Sequence, residues 1–136
     1  MNTLTRKLAT AGSALALAAS GLLLTPSPAS AATSCYGPSC TGLDPSTSVC
    51  QNDARTVATS SRGTELRYSP TCRSAWARQS GGMAMTIWVE SSTGLERAAY
   101  YGGSGTVWTA MVDDKDIVDR VCGHVVEGGE TCTSWY

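Results

Sequence analysis

From Asp53 onward, hydrophobic and polar side chains alternate with a period of two, the signature of strands with one face buried. Glu65-Leu66-Arg67-Tyr68 alternates. The run Met83 to Glu90 puts Met83, Met85, Ile87 and Val89 on one face, and Thr106 to Val112 repeats the pattern. Ile117 to Cys122 predicts a further strand and Thr131 to Tyr136 a last one. Turn signals separate these runs at Gly81-Gly82, Ser91 to Gly94, Gly102 to Gly105 and Asp113-Asp114-Lys115. Helical patterning is poor: Val49 to Thr59 is expected to hold one turn. Short strands at regular spacing predict an all-β fold, a small sandwich or barrel-like domain. Residues 32–51 are instead rich in Ser, Thr, Gly, Pro and Cys, and predict an extended N-terminal arm ahead of a β-domain over 52–136.

One hydrophobic stretch does not fit the two-residue period. Arg6 and Lys7 precede an uncharged apolar run, Leu8 to Leu24, followed by Pro26, Pro28 and the small residues Ala29-Ser30-Ala31. This is the pattern of a secretory leader over residues 1–31, shorter than the roughly 20 apolar residues a membrane span needs. The mature chain is then expected outside the cell, with no membrane insertion. Two of the ten basic residues fall in the leader, leaving eight against eleven acidic ones. That deficit argues against a nucleic-acid partner, which calls for a basic surplus.

Six Cys residues remain: Cys35, Cys40, Cys50, Cys72, Cys122 and Cys132. An even number in an exported chain predicts disulfides. Zinc is disfavoured, because there is no CxxC pair and His124 is the single His. Gly37-Pro38 is a turn that brings Cys35 to Cys40, and Gly128-Gly129 reverses the chain between Cys122 and Cys132. Cys50–Cys72 follows by elimination. By loop entropy the three bridges contribute at most roughly 2, 3.5 and 3 kcal/mol in chain order, comparable to the whole stability of a small domain.

Candidate chemistry changes the picture little. A Ser nucleophile needs a base, and no GxSxG surrounds Ser104 or any other Ser. Paired Cys residues are unavailable as nucleophiles. Glu65, Glu90, Glu96, Glu127 and Glu130 are candidate glycosidase carboxylates that linear order does not bring together. Asp113 to Asp119 lacks the alternation and Gly of a calcium loop and reads as a charged turn. A non-catalytic protein without metal or cofactor is expected. The stretch LRYSPTCRSAWAR, Leu66 to Arg78, stands out. Pro70 predicts a hairpin turn, with Tyr68 facing Cys72 or Arg73 according to a three- or two-residue loop, and with Cys72, Ser74 and Trp76 on one face. Arg67, Arg73 and Arg78 either face water or, with Trp76, hold a partner, since Arg and Trp are favoured at interface hot spots. In the arm, Tyr36, Pro38, Leu43 and Asp44 are further candidates. Met83 and Trp88 have opposite parity on one strand, so either both of its faces are covered or one binds a ligand.

The succession CYGPSCTGLDP, Cys50, LRYSPTCRSAWAR, Thr109-Ala110-Met111-Val112, Cys122 and CTSW resembles the DUF2690 (YjfA-like) family of small exported bacterial domains frequent in Streptomyces and its relatives. The resemblance implies a secreted, disulfide-bonded β-domain and a module rather than a self-sufficient enzyme. It assigns no catalytic residue. The expected function is a protein-interaction module, an adaptor in an exported antibacterial assembly. The alternatives are a small protease inhibitor, with the Cys35–Cys40 loop entering a cleft, and a cell-wall glycan binder.

Overall fold

A computed structural model describes residues 30–136, so all but the last two residues of the expected leader lie outside the described residues. Among the described residues, nine strands form two antiparallel sheets. The first contains β1 (Arg55–Thr59), β2 (Glu65–Ser69), β3 (Ser74–Gln79) and β6 (Val107–Trp108), in that order, with β7 (Val112–Asp113) also pairing with β3. The second runs in the order β5 (Glu96–Tyr101), β4 (Met85–Ser91), β8 (Asp119–Val125), β9 (Gly129–Cys132). The fold is the expected all-β, disulfide-stapled domain, and it is a sandwich.

The period of two builds the space between the sheets. Leu66, Ala75 and Ala77 of the first sheet pack into one cluster with Met85, Ile87, Val89 and Val121 of the second, all essentially without solvent contact. Small side chains on β3 are matched by large ones on β4, which lets the two layers interdigitate at interior density. Each fully buried Leu, Ile or Val contributes about 1.5–3 kcal/mol. Gly123 on β8 belongs to this fit. A Cβ there would lie 2.8 Å from Thr64 Oγ1 and 3.1 Å from Met85 Sδ.

A second cluster sits on the opposite face of β3. Cys40, Cys50, Cys72, Trp76 and Met111 are buried together, with Cys35, Leu43, Val49 and Ala54 packed around them. Residues 32–51 supply this layer as three short 3₁₀ turns, Gly37–Cys40, Pro45–Thr47 and Val49–Asn52. The disulfides are Cys35–Cys40, Cys50–Cys72 and Cys122–Cys132, the pairing expected from two turns and, for Cys50–Cys72, by elimination. β3 is therefore covered on both sides, by the second sheet and by the arm.

Four expectations about local structure change. The segment Val49 to Thr59 holds a 3₁₀ turn and then a strand, β1, whose alternation is broken by a register shift between Thr56 and Ala58. Glu96–Tyr101, not anticipated, is β5; its Ala98 and Ala99 give no strong apolar signal. Thr106 to Val112 is two short strands. Between them the Met111 N–H donates to Leu43 O (2.9 Å) and Met111 O accepts from Gly42 N–H (2.9 Å), which draws Met111 out of the sheet and under the arm. The hairpin after β2 has a four-residue loop, so Tyr68 faces Ala75, Arg67 faces Trp76 and Glu65 faces Arg78. The cause is a distant residue: the Asp53 carboxylate accepts from Ser69 Oγ (2.6 Å) and Thr71 N–H (2.9 Å) and widens the turn. Arg73 closes it with a left-handed φ of 49°.

Candidate functional site

The outward face of the first sheet carries three of the eight singled-out side chains, Arg67, Trp76 and Arg78. Register pairs Arg67 with Trp76 and Glu65 with Arg78, and paired residues on antiparallel strands point to the same side. The Arg78 guanidinium grips Glu65 through Nε to Oε2 (2.7 Å) and Nη2 to Oε1 (3.1 Å). Arg67 donates Nη1 to Thr56 Oγ1 (3.0 Å) and Nη2 to Ala54 O (2.9 Å), both neutral acceptors. Burial pushes the Arg67 pKa down, the nearby Arg78 charge pushes it the same way, and Glu65 opposes them. The Arg78 hydrogen bond, with help from Thr56, holds the Glu65 carboxyl below its ordinary range despite burial.

These side chains line a cavity of about 240 Å³ where the arm meets the sheet. Arg67, Arg78, Trp76 and Trp108 form its sheet side; Ser46 and Gln51 belong to its arm side. The arm side is fixed by Asp44. Its Oδ1 accepts from Ser46 N–H (2.8 Å), Ser46 Oγ (2.8 Å) and Trp108 Nε1 (2.9 Å). Burial alone would raise the Asp44 pKa, but the donors from Ser46 and Trp108 outweigh it and the net shift is downward. Gln51 Nε2 reaches back to Ser46 O (2.7 Å). Thus Asp44 caps a 3₁₀ turn and clamps the arm to β6.

The other candidates lie elsewhere. Arg73 is in the hairpin turn, bridged to Asp116 (3.2 Å), and does not join Arg67 and Arg78. Tyr36 is half-exposed and Pro38 exposed, in a loop anchored by Gly37 N–H to Cys72 O (2.7 Å) and lying against β7. Leu43, within the arm, is half-buried against the second cluster. Trp76 is only 4% exposed, so it offers the cavity one edge of a core indole. Sequence reasoning missed Trp108 and Gln51 as site residues. The one available hint is that Trp108 shares its parity with Thr106, opposite to Val107 in the alternating run.

Two further places hold chemistry. The outer face of the second sheet displays Trp88 and the strongly exposed Tyr100, with His124 beside Thr86. Arg120 is paired with Glu90 (3.0 Å) and lies over the Trp135 ring at 4.7 Å. At one end of the sandwich Asp119 is fully buried with neither carboxylate oxygen hydrogen-bonded, and Asp114 is 7% exposed. Burial, reinforced by the neighbouring acidic charges, raises the pKa of Asp119 to about 8; burial raises that of Asp114 to about 7 against the pull of Arg73.

For metals, the sulfurs of Cys35, Cys40, Cys50 and Cys72 lie within 4.8 Å of one another, but all four are spent in disulfides and offer no thiolate. Asp113 and Asp116 accept from Lys115 and Arg73, so their turn is held by its own donors. Among the described residues, no helix is long and apolar enough to cross a membrane.

The architecture defines a class: a small two-sheet β-domain, stapled by three disulfides, with an arm folded over one sheet. Bridges of this density fit an oxidising, extracellular setting. The family model described as Protein of unknown function (DUF2690) matches residues 38–122, and the chain belongs to that family. The match begins inside the arm and ends at Cys122, so it spans both walls of the cavity. No curated protein and no solved structure matches the chain.

Proposed function

We propose that this chain is a secreted, non-catalytic protein-interaction module, an adaptor subunit of an exported multi-protein assembly, which docks its partner on the face that bears the Arg67–Trp108 cavity. The observation that carries this reading is the fixed arm. Cys35–Cys40 closes a loop within the arm, and Cys50–Cys72 with the Asp44 clamp ties residues 32–51 to the first sheet before any partner arrives. A surface ordered in advance loses little conformational entropy on binding. Arg and Trp, the residues most often found to dominate binding energy, are the ones it displays.

The test is affinity capture from culture supernatant with three baits: the native chain, Trp108→Ala, and Trp88→Ala with Tyr100→Ala on the opposite face. A partner retained by the first and third baits and lost by the second supports the reading. Equal recovery on all three removes the cavity face from the interaction. A second reading, cell-wall glycan binding, is favoured by one observation: Tyr100 is 68% exposed on a sheet face that also shows Trp88. Retention by isolated cell wall, lost in the third bait, supports that alternative.

A further inference from the structure

We propose that the cavity receives the side-chain carboxylate of an aspartate or glutamate on the protein partner. The inference deepens the docking reading above and rests on it.

Charge is the first argument. Two guanidinium groups line the cavity, none of its lining residues is acidic, and one carboxylate, Glu65, balances one of the two. Arg67 donates to a hydroxyl and a carbonyl, neither of which cancels its charge. A cation set near a like charge, partly out of water, is relieved by an incoming anion. Donors remain for that anion. Arg78 uses two of its five N–H donors on Glu65, at Nε and Nη2, and Arg67 uses two of its five, one on each Nη, on Thr56 and Ala54. The nearest acid of the arm, Asp44, opens with Trp108 onto a separate hollow and is occupied by Ser46 and the Trp108 indole.

Size and wall chemistry choose the source of the carboxylate. The volume, about 240 Å³, is below the roughly 300–1,000 Å³ usual for small-molecule pockets. It suits one side chain delivered by a polypeptide. Trp108 has spent its Nε1–H on Asp44, so it presents ring rather than donor. It offers ring surface to residues flanking the acid, while Ser46, Gln51 and Thr106 complete a polar lining beside the two guanidinium groups, whose hydrogen bonds to a carboxylate are charge-assisted.

The experiment is a heteronuclear NMR titration of the disulfide-bonded protein, following the Trp76 and Trp108 indole signals and the Arg67 and Arg78 Nε–H signals. The probes are the capped tripeptides acetyl-Gly-Glu-Gly-amide and acetyl-Gly-Gln-Gly-amide, and inorganic phosphate. Saturable shifts of these four signals are expected with the Glu peptide, with at least tenfold weaker binding of the Gln peptide. Arg67→Gln is expected to weaken the Glu peptide at least tenfold, and Arg67→Lys less, with both variants keeping the native backbone spectrum. Equal response to the Glu and Gln peptides overturns the proposal. So does phosphate that binds as tightly as the Glu peptide, since the site is then a general anion site. If the Glu peptide is silent while partner capture still depends on Trp108, the carboxylate inference falls and the docking reading stands; if capture is also independent of Trp108, both fall.

Discussion

Burying a carboxyl group with no hydrogen-bond partner leaves a signature in the pH dependence of folding, and Asp119 is such a group. It sits on β8 opposite Ser91, at the end of the sandwich, where its backbone pairs with that of Tyr136 through bonds of 3.1 and 2.9 Å. Its side chain has no solvent contact, and the charged groups that act on it are Asp114 and Asp113. The folded pKa of about 8 lies above the ordinary value of 3.8, so the folded state holds a proton that the unfolded state has released. Stability is then highest below pH 4, falls as pH rises through the window between about 4 and 8, and levels off above it. Asp114, raised to about 7, acts in the same direction over most of that window. The slope is about −1.4 kcal/mol per pH unit for each proton retained on folding, and Asp119 alone accounts for a total on the order of 5 kcal/mol.

The decisive perturbation is Asp119→Asn, which keeps the shape and removes the titration. Urea denaturation at half-unit intervals from pH 4.5 to 8.5, with the disulfides intact, measures the slope in both proteins. The native chain is expected to lose stability through this range. The variant is expected to have a slope shallower by about 1.4 kcal/mol per pH unit between pH 5 and 7 and to be the more stable protein at pH 8. Parallel curves for the two proteins, or a native curve that rises over this window, would refute the reasoning, because Asp119 would then be ionised in the folded state.

Three other outcomes follow from single contacts. Glu65→Gln removes the charged half of the bidentate Arg78 pair and is expected to cost about 1–3 kcal/mol in denaturant unfolding. Since Arg78 holds the Glu65 pKa down, the pair's contribution is present near neutrality and is lost as pH falls through that depressed value, the opposite sense to Asp119. Gly123→Ala drives a methyl group against Thr64 and Met85, and about 1–3 kcal/mol of destabilisation is expected by the same assay. Replacing Cys50 and Cys72 together by Ser removes the bridge that spans arm and hairpin; a loss of about 3 kcal/mol is expected, with new protease cleavage in residues 32–51 ahead of any in the strands.

What the sequence discloses depends on how local each cause is. The Met85–Ser91 strand was legible because Met85, Ile87 and Val89 all face a packed layer, so its polar and apolar positions separate cleanly. The disulfides were legible because two of the three close over short turn-rich segments. The hairpin register was not, because the loop is widened by Asp53, far back along the chain. Arg73 stands close to Arg67 and Arg78 in sequence, but the left-handed turn directs it away from them toward Asp116. Trp108 escaped notice as a site residue because its role is set by Asp44, on the other side of the second core. Asp119 looked like one charge in an acidic run. Only the inward parity of β8, shared with Val121, buries it.

The arm changes what the first sheet can do. Without it, Trp76 and Met111 would lie on an open sheet face; with it they form a second core whose outer margin is the cavity. β3 belongs to both cores, contributing Ala75 and Ala77 to one and Trp76 to the other. A force that moves the arm is therefore felt on β3, and through β3 by the packing between the sheets. An occupant of the cavity touches both sides of this junction at once, Arg67 and Arg78 from the sheet and Ser46 and Gln51 from the arm. It binds only the state in which the arm is closed, so by linkage it stabilises that state. Slower amide exchange at Gly42 and Met111, whose N–H groups tie the arm to the segment between β6 and β7, is the expected mark of occupancy, and the strand pairs far from the arm are expected to change less.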